Sequence, residues 1–395
     1  MRLFSRGNLL YALFLLGFLL VLLELGGRWY LSSVLQKSSQ RKFQFDPYRI
    51  YAHVPGFQES DDQGPRLTIN AQGFRRTSDL AVPKPEGTLR IFLLGGSAAH
   101  GISSARPFPI VHVRDNETVD AWLEPLLQQR FPAHRVEVVN AAVTGYRVFQ
   151  HTAYFLAELV HYQPDLLLFM DGFNDHYRYN PDEDQYRDNI YQFWTPRLQQ
   201  PSLGGLFDHF TLWASSFSGF ARGYHAWASN RDAEQRQRVF TNATRGWDDD
   251  RIRAAYRATS RDQYLRAIAN NLVLARHHGV DAVVALQPGL IFRDTTLMAP
   301  VERDVLLPLL TDRHRLVLQP LVLRDLDSLT TLLRTPFIDM NPAFNSLDLA
   351  GEQLFLDYCH LSPRGAEVAA RTLLPLVEAA LNRRLAPAPN DQPEN

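Results

Sequence analysis

Cysteine is almost absent from this chain of 395 residues: Cys359 stands alone, which excludes an intramolecular disulfide framework and a multi-cysteine metal site. A surplus of either charge is lacking too. Lysine and arginine number 41 against 42 aspartates and glutamates, leaving a formal net charge of −1. No domain-wide positive field exists of the kind that non-specific nucleic-acid binding draws on. The 13 histidines are scattered, and His277 and His278 adjoin at the end of an expected helix without partners nearby. The sequence therefore shows no metal-ligand cluster and calls for no cofactor. There is no internal repeat. What remains is a globular composition, 45% hydrophobic and 21% charged, sufficient for a sizeable core.

One long apolar run stands out. Arg2 and Arg6 precede an unbroken stretch from Leu9 to Leu23, continued beyond Glu24 by Leu25, Trp29, Tyr30 and Leu31. The unbroken part is shorter than the roughly 20 residues a bilayer crossing takes. A crossing is reached only if Glu24 lies near the interface, where Arg28 at helical i,i+4 spacing can pair with it. A cleaved signal peptide and a buried core helix are the alternatives. No small-x-small cleavage pattern follows the run, which favours an uncleaved anchor over residues 1–34. Arg28, Lys37, Arg41 and Lys42 follow the run, so basic residues flank it on both sides and do not by themselves set its orientation. Because large C-terminal domains behind a short anchor are commonly translocated, the expected location of the body is extracytoplasmic.

The polar stretch at 35–50 reads as a linker, residues 51–385 as the body, and the proline-rich 386–395 ("APAPNDQPEN") as a disordered tail. Strands are expected at Leu89–Leu94, Arg135–Ala141, Asp165–Met170, Asp281–Pro288 and Pro336–Met340. Several are continuously apolar, as strands covered on both faces should be. Helices are expected at Val119–Arg130, Val148–His161, Ser260–His278 and Pro363–Arg384. Such alternation predicts an α/β fold in which a parallel sheet carries helices on both sides. The stretch at 176–250 breaks the rhythm with abundant aromatics and no clear strand. It is expected to be an insertion over the top of the sheet, or else a helical subdomain packed on the body.

In a parallel α/β sheet, ligands gather beyond the carboxyl ends of the strands. The segments expected there are "GGSAAHG", "NAAVTGY", "DGFND" and, ahead of the last helix, "LFLDYCHLSPRG". Together they supply the inventory for acyl transfer. A serine hydroxyl needs an imidazole to take its proton, and the imidazole needs a carboxylate to fix its tautomer. Ser97, His360 and Asp357 can fill these roles. The backbone N–H groups of Ser97 and Gly145, with the side-chain amide of Asn174, can face a developing oxyanion. Each segment alone has a plain structural reading: Gly-Gly-Ser ends strands, Asn-Asp makes turns, and an aspartate three residues before a histidine caps a helix. Their conjunction carries the argument. Among other candidates, His100 is expected at the surface, Cys359 as a small buried hydrophobe, and Asp171 and Asp175 as holders of the Asn174 turn. Asp339, at a strand end, is the rival acid.

In order and content these blocks resemble the four signature blocks of the SGNH/GDSL hydrolase superfamily, here "GGSAAHG", "NAAVTGY", "GFND" (Gly172–Asp175) and "DYCH" (Asp357–His360). "INAQGFRRT", Ile69–Thr77, resembles a segment of membrane-anchored members. The resemblance implies a three-layer α/β/α sandwich with a flavodoxin-like parallel sheet. It also implies Ser97 as nucleophile, Asp357 as acid, His360 as base, and an oxyanion hole from Ser97, Gly145 and Asn174. The chain departs from the commoner Gly-Asp-Ser by carrying Gly96. The expected activity is a serine esterase acting through an acyl-enzyme on acyl esters, O-acetyl groups included, of a carbohydrate, envelope glycan or lipid. The alternatives are an O-acyltransferase acting on an envelope polysaccharide and a catalytically idle glycan-binding envelope protein.

Overall fold

The structure, a computed structural model, describes residues 6–33, 42–46, 48–103, 111–177, 246–258, 260–310 and 314–386, together with 210, 214, 218–221, 223 and 224. Most of the aromatic stretch and nearly all of the expected C-terminal tail lie outside the described residues. Contacts divide the chain into two units. One comprises Met1–Phe43 with Glu183–Thr241, the other Gln44–Asp182 with Asn242–Asn395.

The second unit is built on five parallel strands: β1 (Thr88–Gly95), β2 (Arg135–Asn140), β3 (Leu166–Asp171), β4 (Asp281–Leu286) and β5 (Phe337–Asp339). Their spatial order is 2-1-3-4-5, that of a flavodoxin-like sheet. The register places Ile91 beside Val138 and Leu166, and Val284 beside Phe169 and Phe337. Every residue of β1 and β3 is buried, which is why Ile91–Leu94 and Leu166–Met170 read as continuous apolar runs.

Leu89, Ile91, Leu93, Val136, Val138, Leu166, Leu168 and Met170 face one core, filled from α3 (Val119–Arg130) and the last helix, α8 (Pro363–Leu385). The opposite face carries α4 (Val148–Ala157) and α6 (Ser260–His277), which pack together. The sandwich is thus three-layered.

Two helices are not announced by the apolar pattern. Ile252 and Tyr256 bury one side of α5 (Asp249–Ala258). The other, α7 (His314–Leu332), carries Pro320 in its interior, a substitution that costs about 3 kcal/mol in an isolated helix and argues against one in sequence. Burial of Leu318, Val322 and Leu326 sustains it.

The first unit contains α1 (Arg6–Ser33). Its segment Leu10–Trp29 is 20 residues long with mean hydropathy 2.2, long and apolar enough to cross a membrane, as an anchor or a signal sequence would be. The expected pair forms on it, with Arg28 Nε 2.8 Å from Glu24 Oε1.

Candidate functional site

Strand β1 runs into Gly95 and Gly96, and Ser97 opens the single turn α2 (Ser97–His100). Glycine is required at 95 because a Cβ there would lie 2.4 Å from the Met170 carbonyl oxygen and 2.7 Å from the Ala99 Cβ. The turn is braced from two sides. The Asn140 amide donates to the Ala99 carbonyl at 3.1 Å. Arg75, from the "INAQGFRRT" segment, is buried; it donates to the carbonyls of His100, Gly101 and Val113 and pairs with Asp115 at 3.0 Å. Ser97 therefore rests on a turn whose far end is fixed by a buried guanidinium.

Asp357 and His360 come from the loop ahead of α8. The loop is closed by a backbone bond from Leu356 N–H to the His360 carbonyl at 2.8 Å and by the bridge between Phe355 and Leu361. Its exit is set by Ser362, which accepts from Gly365 N–H at 3.0 Å as the N-cap of α8, with Pro363 at the first helical position. Oδ1 of Asp357 accepts from the backbone N–H groups of Cys359 and His360, both at 3.0 Å. Oδ2 is left to accept from His360 Nδ1–H at 2.6 Å. That bond fixes the tautomer and turns Nε2 toward Ser97, whose hydroxyl donates to it at 2.5 Å. Burial alone would pull the imidazole pKa down, but the Asp357 charge outweighs it and holds His360 well above its ordinary value. Asp339 does not compete for this histidine, since its Oδ1 accepts from the backbone and side chain of Asn341 at 3.1 and 2.7 Å.

Gly145 lies in the loop after β2 with φ +83, a conformation that side chains rarely adopt. Tyr51 props this loop, donating from its hydroxyl to the Thr144 carbonyl at 2.8 Å and accepting at its own carbonyl from the Tyr146 hydroxyl. Asn174, in a short helical turn at Phe173–Tyr177 after β3, donates from Nδ2 to the Tyr146 carbonyl at 2.9 Å. The same nitrogen lies 2.4 Å from where a Cβ on Gly96 would stand. Gly96 is extended (φ −89, ψ −150), so glycine there answers to the closeness of Asn174 and not to backbone torsion. The elements carrying Ser97, Gly145 and Asn174 thus converge.

Under this turn lies a buried acid cluster. Asp171 Oδ2 is 3.0 Å from His151 Nε2, and Asp175 Oδ1 accepts from Val148 N–H at 3.3 Å. The latter bond ties the Asn174 turn to the start of α4. Burial, reinforced by the Asp171 charge, pushes the Asp175 carboxyl up to about 7. The folded chain therefore keeps a proton that the unfolded chain releases near 3.8. Stability contributed by this group is present at acid pH and lost as pH rises toward the folded value. Asp175→Asn should melt like the parent near pH 4 and at a higher temperature than the parent near pH 8. Melting curves across that range test the point.

Several residues of the site carry no sequence signal. The Arg315 guanidinium, from α7, sits 4.4 Å from the Phe173 ring centroid and 4.9 Å from that of Tyr358. It ties the Asn174 turn to the loop of Asp357 and His360. His100 is a correction: expected at the surface, it is fully buried, with Nδ1 3.1 Å from the Ala142 carbonyl and its ring 4.7 Å from that of His53. The chain folds the end of α2 beneath residues 51–53, a contact no local pattern reveals. Cys359 is buried and free, as its reading as a small hydrophobe implies. Among the described residues, Asp357, Cys359 and His360 form the one group compact enough to hold a metal ion. Two of the three already bond each other and Ser97.

Beyond the strand ends of the parallel sheet, a serine, a histidine and an aspartate are thus hydrogen-bonded in line. Residues 93–250 match the GDSL-like Lipase/Acylhydrolase family, a span that includes Ser97, Gly145 and Asn174. That segment is similar to the family, and the chain is an ester-bond hydrolase. Its solved structural relatives include the acetylxylan esterase Axe2 from Geobacillus stearothermophilus, at 15% identity and TM-score 0.40, covering 73% of this chain and 94% of that one. A putative GDSL-like lipase from Parabacteroides merdae follows at 12% identity and TM-score 0.39, with the same coverages. A GDSL-like lipase from Bacteroides thetaiotaomicron has 11% identity and TM-score 0.35, covering 75% of this chain and 89% of that one. No curated protein matches the chain in sequence.

Proposed function

We propose that the protein is a membrane-anchored serine esterase in which Ser97 attacks an acyl ester, His360 takes the serine proton, and Asp357 stabilises the imidazolium. The carbonyl carbon gains the serine oxygen, its π electrons pass to the carbonyl oxygen, and the resulting oxyanion is met by the N–H groups of Ser97 and Gly145 and the amide of Asn174. Collapse expels the alcohol, which takes the proton from His360. Water, deprotonated by the same imidazole, then releases the acid and restores Ser97. The observation that carries this reading is the unbroken line from Ser97 Oγ through His360 to Asp357, at 2.5 and 2.6 Å.

The substrate class is an acyl ester of a carbohydrate, an envelope glycan or a lipid, reached by a body held on the extracytoplasmic side. Incubation with an acyl-labelled ester, with and without candidate glycan acceptors, tests the reaction. Label recovered as free acid supports hydrolysis, and label recovered on the glycan replaces it with transfer.

Gly96 gives this reading a sharper consequence. A methyl group at 96 displaces the Asn174 amide without straining the backbone. Gly96→Ala should therefore lower kcat by about one to two orders of magnitude, within the cost of losing one oxyanion donor. Substrate affinity and melting temperature should change little, as steady-state kinetics and thermal melts would show.

A further inference from the structure

An acidic residue in an apolar helix is expensive and is retained where it meets a specific partner. Glu24 meets four donors. Arg28 Nε lies 2.8 Å from Oε1, and Gly219 N–H donates to the same oxygen at 2.8 Å. The Ser218 hydroxyl and Phe220 N–H donate to Oε2 at 2.8 and 3.2 Å. Ser218 in turn accepts from Ala221 N–H at 3.2 Å, so it caps the turn at Gly219–Ala221 while handing its own proton to Glu24.

The backbones approach closely at this point. A Cβ on Gly27 would stand 2.4 Å from the Phe220 Cα, and one on Gly219 would stand 2.5 Å from the Arg28 Cγ. Gly17 and Gly26 have nothing comparable near them. Small residues facing each other and a polar clasp are how helices associate within a bilayer. Of the apolar window of this helix 6% is buried, and Trp29 near its end is 68% exposed. Within the docked unit, Phe220 and Phe210 are also exposed.

We infer that the segment at 218–221 is seated on the membrane helix by Glu24, and that the exposed rings of Phe220 and Phe210 enter the lipid interface of the same bilayer. The occupant of this surface is lipid, because the surface is continuous with the apolar helix it is bonded to. Aromatic rings at the level of a helix end are the side chains that favour that layer. This rests on the anchor reading above. Its consequence is that α1 holds residues 218–221 at the membrane surface.

The test uses the full chain in phospholipid nanodiscs, with Phe220→Cys carrying a bimane fluorophore and the buried Cys359 left unlabelled. Doxyl-labelled lipid of shallow depth should quench the label about threefold, as expected for a side chain at the headgroup boundary. Adding Glu24→Ala, or separately Ser218→Ala, should relieve at least about half of that quenching while the protein stays in the membrane through an alkaline wash. Unchanged circular dichroism in each variant verifies folding. A washed protein that stays in the membrane but shows no quenching overturns the inference and leaves the anchor standing. Quenching that both variants leave intact overturns the clasp. Release by the wash overturns the anchor reading itself.

Discussion

Ser97→Ala is expected to abolish turnover of a model acetyl ester, with a loss on the order of a million-fold, as when the nucleophile of an acyl-transfer site is removed. The effect should be catalytic and not structural. The side chain bonds to His360 at 2.5 Å, whereas the turn that carries it is held by backbone and neighbouring groups, Arg75 and Asn140 among them. Those bonds do not involve the serine oxygen, so the melting temperature should be close to that of the parent. Residual activity above background would come from the oxyanion donors alone.

The second large effect belongs to Asp357→Asn, which should cost about four orders of magnitude in kcat near neutral pH. Its carboxylate accepts the Nδ1 proton that fixes which imidazole nitrogen faces Ser97. The amide can present its nitrogen there and favour the wrong tautomer. The pH profile separates this from simple damage. General-base action needs neutral His360, and Asp357 holds that histidine above 6.5, so kcat/KM of the parent should rise through an apparent pKa above that value. Without the carboxylate charge, burial dominates and lowers the histidine pKa. The acid limb of the variant should move to lower pH while its plateau falls. A lower plateau with the limb unmoved would assign the imidazole shift to something other than Asp357.

The sheet was readable because its strands are covered on both faces. Ile91–Leu94 and Leu166–Met170 are apolar without interruption, a pattern that survives without any knowledge of neighbours. The grouping of the candidate residues was readable for a related reason: Ser97, Asn174 and the Asp357–His360 loop each follow or precede an element whose position in a parallel sheet is fixed by topology. Burial of polar side chains was not readable. Arg75, His100 and Arg315 look like surface residues until distant carbonyls and rings surround them. Pro320 concealed α7, since the packing that offsets a proline is tertiary. Gly96 looked like a departure from the common block; its closeness to Asn174 gives it a spatial reason.

The measurement that bears most directly on the account is the site of covalent modification by a small fluorophosphonate, read by peptide mass spectrometry on the intact chain. The account predicts one adduct, on Ser97, lost in His360→Ala at the same reagent concentration. An adduct on another residue, or an unlabelled Ser97 in protein that is turning over ester, would contradict it.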